Sequence, residues 1–402
     1  MKKRITAVFL CFSLVFSLCI NFCCQDELET IDEMKNYLQK VDAKATEIEM
    51  PTLNVNVKSA VLMEASTGTI LYQTGQDVKY PPASVTKVMT LLLVMEALDK
   101  GSISLSDEVT ASEHASSMGG TQIYLEVGET MTVDELIKAV AVPSANDATV
   151  ALAEFVAGSE EAFVALMNSR AKEIGANNTN FNNCTGLFDD PDHVTTAHDI
   201  AIMTKELLKH EKIFDYTTIW MDTLRGGTFG LANTNKMLRT YSGMNGMKTG
   251  FTKLSGYCFS GTAERDGMTL IATIMGSPTS KDRFDATAAM LDFGFATYSV
   301  ATASPETQAP IPVLKGKKDS VNLEVVGGLS ILVKKGQQKG ITTEVALSDK
   351  VTAPVQKGTE IGMLTYMMGG KAVASCPIVT AETVEHAGFG DYFGWLFDRI
   401  ML

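Results

Sequence analysis

Hydrophobic and polar positions change rhythm three times along the chain. Val55 and Val57 alternate with Asn56 and Lys58, and Ala60 to Met63 extends the run, which predicts a strand. Gly68 to Tyr72 reads as its antiparallel partner, with Ala65-Ser66-Thr67-Gly68 as the turn. Pro81-Pro82 stops strand pairing. A helix is predicted from about Ser84 to Asp99, closed by Gly101. Its apolar residues (Val85, Val88, Met89, Leu91 to Met95, Leu98) cover nearly the whole circumference, so this helix is buried rather than amphipathic. Helical periods recur over 132–142, 145–157, 160–174 and 196–209. After Lys248 the period returns to that of strands. Tyr257 to Ala263 and Met268 to Met275 flank Arg265-Asp266-Gly267, a hairpin signal. A last helix is predicted over Lys281 to Phe293. Strands first and last with helices between give one α/β unit over 55–300.

Beyond it, 301–312 is rich in Ala, Thr, Ser and Pro and reads as a linker. From 313 to 380 short β-branched runs lie between Gly pairs and Lys-Gly turns, which predicts a small all-β domain. The stretch 388–402 crowds Phe389, Tyr392, Phe393, Trp395, Leu396 and Phe397, with Asp391, Asp398 and Arg399 largely to one side. It is expected to be an interfacial helix lying on a membrane. At the other end, Lys2, Lys3 and Arg4 precede an apolar run to about Cys24, the layout of a signal peptide or N-terminal anchor over 1–24. Residues 25–54 are polar, with helical character from Ile31 to Lys44, and read as a spacer.

Composition narrows the function classes. With 402 residues, 45% apolar and 20% charged, the chain is long enough for two globular domains. A net charge of -13 argues against nucleic acid and against a general attraction to anionic lipid. Four of the seven cysteines, Cys11, Cys19, Cys23 and Cys24, sit in the N-terminal apolar run. Leu18, Phe22 and Cys23 stand before the last three, where a lipobox would place a small residue. Cys184, Cys258 and Cys376 form no disulfide framework and no metal spacing, and the five histidines do not cluster with them, so no metal and no cofactor is expected.

The candidate chemistry starts at Ser84 and Lys87, three apart at the head of a buried helix and therefore on one face. As a plain helix cap, Ser84 would favour an acid or Gln three positions on. Lys87 stands there instead, disfavoured by the helix dipole and by burial, and both push an amine toward its neutral, basic form. A neutral amine beside a hydroxyl is what proton abstraction from serine requires. The spacing alone is weak, since Ser169 and Lys172 repeat it in a polar helix. Two further elements add weight. Ser144-Ala145-Asn146 follows Pro143 at a break between helices, where a cap is the plain alternative, and Ser320-Val321-Asn322 repeats it in the β-region. Lys248-Thr249-Gly250 occurs just before the hairpin, where a turn is the alternative.

Together and in this order, Ser-x-x-Lys, Ser-x-Asn and Lys-Thr-Gly resemble the low-molecular-mass penicillin-binding proteins, serine-type D-Ala-D-Ala carboxypeptidases. Pro81 to Thr90, Ser144 to Ala148, Thr185-Gly186-Leu187, Thr195-Thr196-Ala197 with Asp199, and Asn245 to Gly250 carry the resemblance. Asn245 departs from it, since the family usually has an acid there, and is expected to alter loop bonding rather than chemistry. The resemblance implies a β-lactamase/transpeptidase-like catalytic domain, an antiparallel sheet flanked by helices. It implies that Ser84 attacks the D-Ala-D-Ala carbonyl, that Lys87 is the general base and that Ser144 relays a proton to the leaving amine. Asn146 would bond Lys87 or the substrate backbone, and Lys248 would add positive charge. Thr249 and Arg283 would hold the terminal carboxylate. The N–H groups of Ser84 and Phe251 would form the oxyanion hole, and Gly250 would let substrate lie close. Peptidoglycan stem peptides are the implied substrate, β-lactams the covalent inhibitors, and the outer face of the cytoplasmic membrane the place of work.

Other readings differ in class. A β-lactamase of class A would add a carboxylate for the deacylating water, and no Glu-x-x-Leu-Asn stretch lies between Asn146 and Lys248. A non-catalytic sensor on this fold would not need every motif residue intact. A transpeptidase or endopeptidase shares the chemistry and differs in the acceptor.

Overall fold

In a computed structural model, which describes residues 51–303, 308–326, 329–337, 340–391 and 393, strand β1 (Ser59–Glu64) is buried at every position. A strand with one wet face would alternate, so both faces of its sheet are covered. Val61 and Met63 enter the large helical core. Leu62 points the other way, onto helix α6 (Ser280–Thr297), where a Cβ on Gly294 would stand 3.2 Å from its Cδ2. β2 (Ile70–Thr74) pairs with one edge of β1, and β5 (Met268–Ser277) with the other. β4 (Gly256–Arg265) and β3 (Met244–Thr252) follow outward, giving the order β2-β1-β5-β4-β3 with every neighbour antiparallel. The first hairpin of the unit therefore pairs with its last, Ala60 opposite Ile274, and the helices in between are one long insertion.

Those helices start where the sequence supplies caps. α2 (Val133–Ala141) opens on a capping box between Thr132 and Glu135. α4 (Glu160–Glu173) is capped by Ser159, and α5 (Ala197–Leu207) by Thr196. α3 (Asn146–Ala157) has no side-chain cap and ends on left-handed Gly158. Buried α1 (Lys87–Asp99) has almost no polar face.

Four local expectations change. The helix predicted from Ser84 begins at Lys87, after a 3-10 turn over Ala83–Thr86, so Ser84 is not its cap. Lys248-Thr249-Gly250 lies within β3 rather than in a turn. α6 runs four residues beyond Phe293, to Thr297. The start of the expected linker is the end of a strand, Tyr298–Ala303, paired with Leu329–Lys334.

The described residues divide into two units. One spans Glu49–Thr302 and takes in Ser330–Lys339; the other holds Ala303–Leu329 and the described residues from Gly340 onward. The second unit is built of strands. Glu360–Met368 pairs with Ile341–Leu347 and with Lys371–Thr380, and a small core gathers Ile311, Val313, Val321, Val355 and Ile361. Residues 1–24, the predicted spacer helix, residue 392 and all of 394–402 fall outside the described residues.

Candidate active site

The chain reaches Ser84 through Ala83, which adopts φ +50, a left-handed conformation that a Cβ disfavours. Such strain gathers where a site over-determines the backbone. One turn on, Lys87 is fully buried at the head of α1. Its Nζ lies 3.1 Å from Ser84 Oγ, 2.7 Å from Asn146 Oδ1 and 3.0 Å from the Thr185 carbonyl oxygen. Burial pulls this amine down to about 7, against the weaker opposing pull of Cys184 and Asp147. A neutral amine has two N–H donors and one lone pair. Asn146 and Thr185 offer two acceptors, so the lone pair is left for the Ser84 hydroxyl.

Asn146 is fixed from both ends. Its Oδ1 accepts from Lys87, while its Nδ2 donates to the Gly119 carbonyl at 2.8 Å, which sets the amide orientation. The next residue, Asp147, is buried, and its carboxylate accepts from the backbone N–H groups of Ile123 and Leu125. The head of α3 thus holds the 119–125 loop against the site. Ser144, two residues earlier, has φ +74, and its Oγ is buried with no hydrogen-bond partner among the described residues.

β3 forms the other wall. Lys248 is buried and its Nζ donates to the Thr249 carbonyl at 3.1 Å. Burial holds this amine well below the usual lysine range, and the nearby Lys87 and Arg283 charges push the same way. Thr249 Oγ1 donates to Thr234 Oγ1 at 2.7 Å. Gly250 is close to the turn that carries Ser84. A Cβ there would stand 2.8 Å from the Pro82 carbonyl oxygen and 3.0 Å from the Ser84 nitrogen. Its lack of a side chain is therefore accounted for by protein packing, where the sequence suggested room for substrate. Phe251 follows with its ring exposed and tilted on Tyr257 at 4.4 Å.

Arg283, in the first turn of α6, is buried. Its Nη1 donates to the carbonyls of Gly250 and Cys258, both at 3.1 Å, and its Nη2 donates to Ser280 Oγ at 3.2 Å. Nε is buried without a partner among the described residues, and burial lowers the group to about 10. Arg283 thus clamps the β3–β4 pair beneath Gly250 and keeps one donor in reserve.

Sequence reasoning did not assign the Thr185 carbonyl, Gly119, Asp147 or Thr234. The first is a backbone atom in a quoted motif, Asp147 lies in the first turn of α3 inside the quoted Ser144 to Ala148 stretch, and Gly119 and Thr234 lie in loops with no period to flag them. The repeated motif at Ser169 is absent from the site: its Oγ donates to Glu173 on an exposed face. Asn245 sits in β3, its Oδ1 accepting from Thr262 and its carbonyl from Thr217.

Known proteins resemble this chain over most of its length. The family described as D-alanyl-D-alanine carboxypeptidase matches residues 42–279, and that described as penicillin-binding protein 5, C-terminal domain, matches 295–386. The chain is 46% identical to the D-alanyl-D-alanine carboxypeptidase DacF of Bacillus subtilis, over 83% of this chain and 87% of that one. Penicillin-binding protein 5 from Haemophilus influenzae superposes with a TM-score of 0.72 at 31% identity, covering 84% of this chain and all of that one. Penicillin-binding protein D2 from Listeria monocytogenes, in its ampicillin-bound form, superposes at 0.56 with 31% identity, over 61% of this chain and all of that one. With its Ser84–Lys87 pair, its helical insertion and its antiparallel sheet, this chain belongs to the D-alanyl-D-alanine carboxypeptidase family, the low-molecular-mass penicillin-binding proteins.

Proposed function

We propose that the protein is a serine D-Ala-D-Ala carboxypeptidase that removes the terminal D-alanine of peptidoglycan stem peptides, and that Ser84 is its nucleophile. The observation that carries this is the coordination of Lys87: a buried amine with two acceptors and one hydroxyl around it.

The reaction follows from that geometry. Ser84 gives its proton to the Lys87 lone pair as Oγ bonds to the carbonyl carbon of the scissile peptide. The carbonyl oxygen takes the negative charge and is held by the N–H groups of Ser84 and Phe251. Collapse breaks the C–N bond. The departing D-alanine amine takes a proton from Lys87 through Ser144, whose open hydroxyl suits a relay. Water then attacks the ester, Lys87 again receiving the proton, and Ser84 is restored. Thr249 and Arg283 receive the terminal carboxylate, with the Lys248 amine behind them bonded to the Thr249 carbonyl. β-Lactams enter by the same attack, and the ring opening keeps the leaving amine tethered.

The protein also works, in this reading, as a secreted enzyme on the outer face of the cytoplasmic membrane, held by 388–402. The exposure of Phe389 and Phe393, stacked with ring centroids 6.4 Å apart, supports an apolar face at the start of that segment.

Mass spectrometry of the penicillin adduct tests the nucleophile. The adduct is expected on Ser84, with no labelling of Ser84→Ala. A stem-pentapeptide mimic should release D-alanine. Rapid β-lactam turnover without that release would instead favour the β-lactamase reading. Truncation of 388–402 is expected to keep activity and to abolish flotation with liposomes, once the N-terminal 24 residues are also removed.

A further inference from the structure

Behind the nucleophile turn runs a chain of hydrogen bonds that the acyl-transfer steps do not use. It begins at His193, 2% exposed and 107 residues from its partner Thr86. The Asn182 backbone N–H donates to His193 Nδ1 at 3.0 Å, so Nδ1 is the acceptor and the ring proton sits on Nε2. Nε2 lies 2.8 Å from Thr86 Oγ1, and the Thr86 hydroxyl in turn donates to the Ala83 carbonyl at 2.8 Å. The Asn183 Nδ2 also approaches Nδ1, at 3.4 Å, and the direction of the chain is fixed from end to end. There is no slack around it. A Cβ on Gly186 would stand 1.9 Å from the Ala83 oxygen and 2.5 Å from Thr86 Oγ1.

The end of the chain matters because of the peptide plane. The Ala83 carbonyl and the Ser84 N–H belong to one planar unit and point in opposite directions. Fixing the carbonyl fixes the N–H. Ala83 itself, at φ +50, does not favour this orientation. We infer that His193 is a positioning residue which, through Thr86, locks the Ala83–Ser84 peptide and aims the Ser84 N–H at the oxyanion. This rests on the assignment of Ser84 as nucleophile and adds to it a residue from the far side of the turn. Burial brings His193 down to about 4 despite the pull of Asp190 and Glu160, so the imidazole keeps its one-donor, one-acceptor pattern at ordinary pH.

Three variants of the full chain separate this from plain packing. His193→Asn keeps an acceptor for Asn182 and loses the donor to Thr86. Thr86→Val keeps the shape and loses the donor to Ala83. His193→Gln keeps an amide donor at the Nε2 position. Stopped-flow acylation by a fluorescent penicillin gives the binding constant and the acylation rate separately. His193→Asn and Thr86→Val are expected to acylate about tenfold more slowly, with binding constants within about twofold of the parent. The double variant should be no slower than the worse single one, and His193→Gln should recover most of the rate. Parental acylation rates in both single variants, even with lower melting temperatures, overturn the inference. So do rate losses that multiply in the double variant. An adduct away from Ser84 in the parent protein overturns the underlying assignment and this inference with it.

Discussion

Lys87 Nζ and Asn146 Oδ1 stand 2.7 Å apart although 59 positions separate them in the chain. The other end of the amide is tied to Gly119, so the oxygen has no choice but to face the amine. A neutral partner is essential to this contact. Asn146→Asp would place a carboxylate against Nζ, and an opposite charge so close raises an amine by about 1–3 units. The Lys87 amine, now near 7, would move up, and less of it would be neutral at pH 7. Acylation by penicillin is expected to fall about tenfold or more at pH 7, with the acidic limb of the rate–pH profile displaced upward by at least about one unit. A slower variant whose profile stays in place would show that geometry, and not charge, was lost.

Gly250 invites a simpler test. Its Cβ position is occupied on one side by the backbone of Pro82, Ser84 and Val85, which no rotamer change relieves. Gly250→Ala should push β3 off the nucleophile turn and separate the two N–H groups of the oxyanion hole. A loss of about a hundredfold in kcat/KM is expected for a D-Ala-D-Ala peptide, with destabilisation of about 1–3 kcal/mol by urea titration. Near-parental kcat/KM would mean that the two segments yield more easily than their contacts suggest.

Asp147 acts on the site through a loop. Its buried carboxylate satisfies Ile123 and Leu125 N–H groups, and the same 119–125 segment supplies the Gly119 carbonyl that orients Asn146. Asp147→Ala leaves these donors unpaired in the interior, at about 1–3 kcal/mol each. Urea titration is expected to show a loss of about 3 kcal/mol, and Asp147→Asn, which keeps one acceptor oxygen, a smaller one. Parental stability in Asp147→Asn, which keeps the shape, beside a full loss in Asp147→Ala would place the effect in packing rather than in the bonds.

How much of this was legible in the sequence depends on whether a feature is local. Helix α2 was readable to within one residue at each end because its period marks it, and the structure sets its start with the Thr132–Glu135 box. The Ser84–Lys87 pair was readable because a buried lysine breaks a local rule. The motif spacing could not say that Ser84 sits in a 3-10 turn rather than at a helix cap, since that depends on the strained Ala83 and on contacts from Gly186. Nor could it say that Arg283 would be drawn onto the Gly250 and Cys258 carbonyls, because nothing in the period of α6 reveals which strands its first turn meets. Thr185 enters through its carbonyl, and a backbone atom leaves no trace in the residue pattern.

The same burial that lowers the Lys87 amine should be visible as a defect in stability. In the unfolded chain a lysine holds its proton up to about pH 10.4, whereas Lys87 in the folded protein gives it up near 7. Between those values the unfolded state binds more protons, so stability rises as pH rises from about 7 to about 10 and is lowest, from this group, below 7. The full shift corresponds to on the order of 4 kcal/mol. Lys87→Met removes the amine and fills similar space. It also leaves the Asn146 and Thr185 oxygens without their donor, which offsets part of the gain. The variant should fail to acylate with penicillin, yet melt at or above the parental temperature at pH 6. Its advantage should shrink steadily toward pH 10, as the parent recovers the stability that a buried ammonium denies it. A constant difference in melting temperature across that range would mean that Lys87 is not held near neutrality by burial, and the case for it as the base would fall with it.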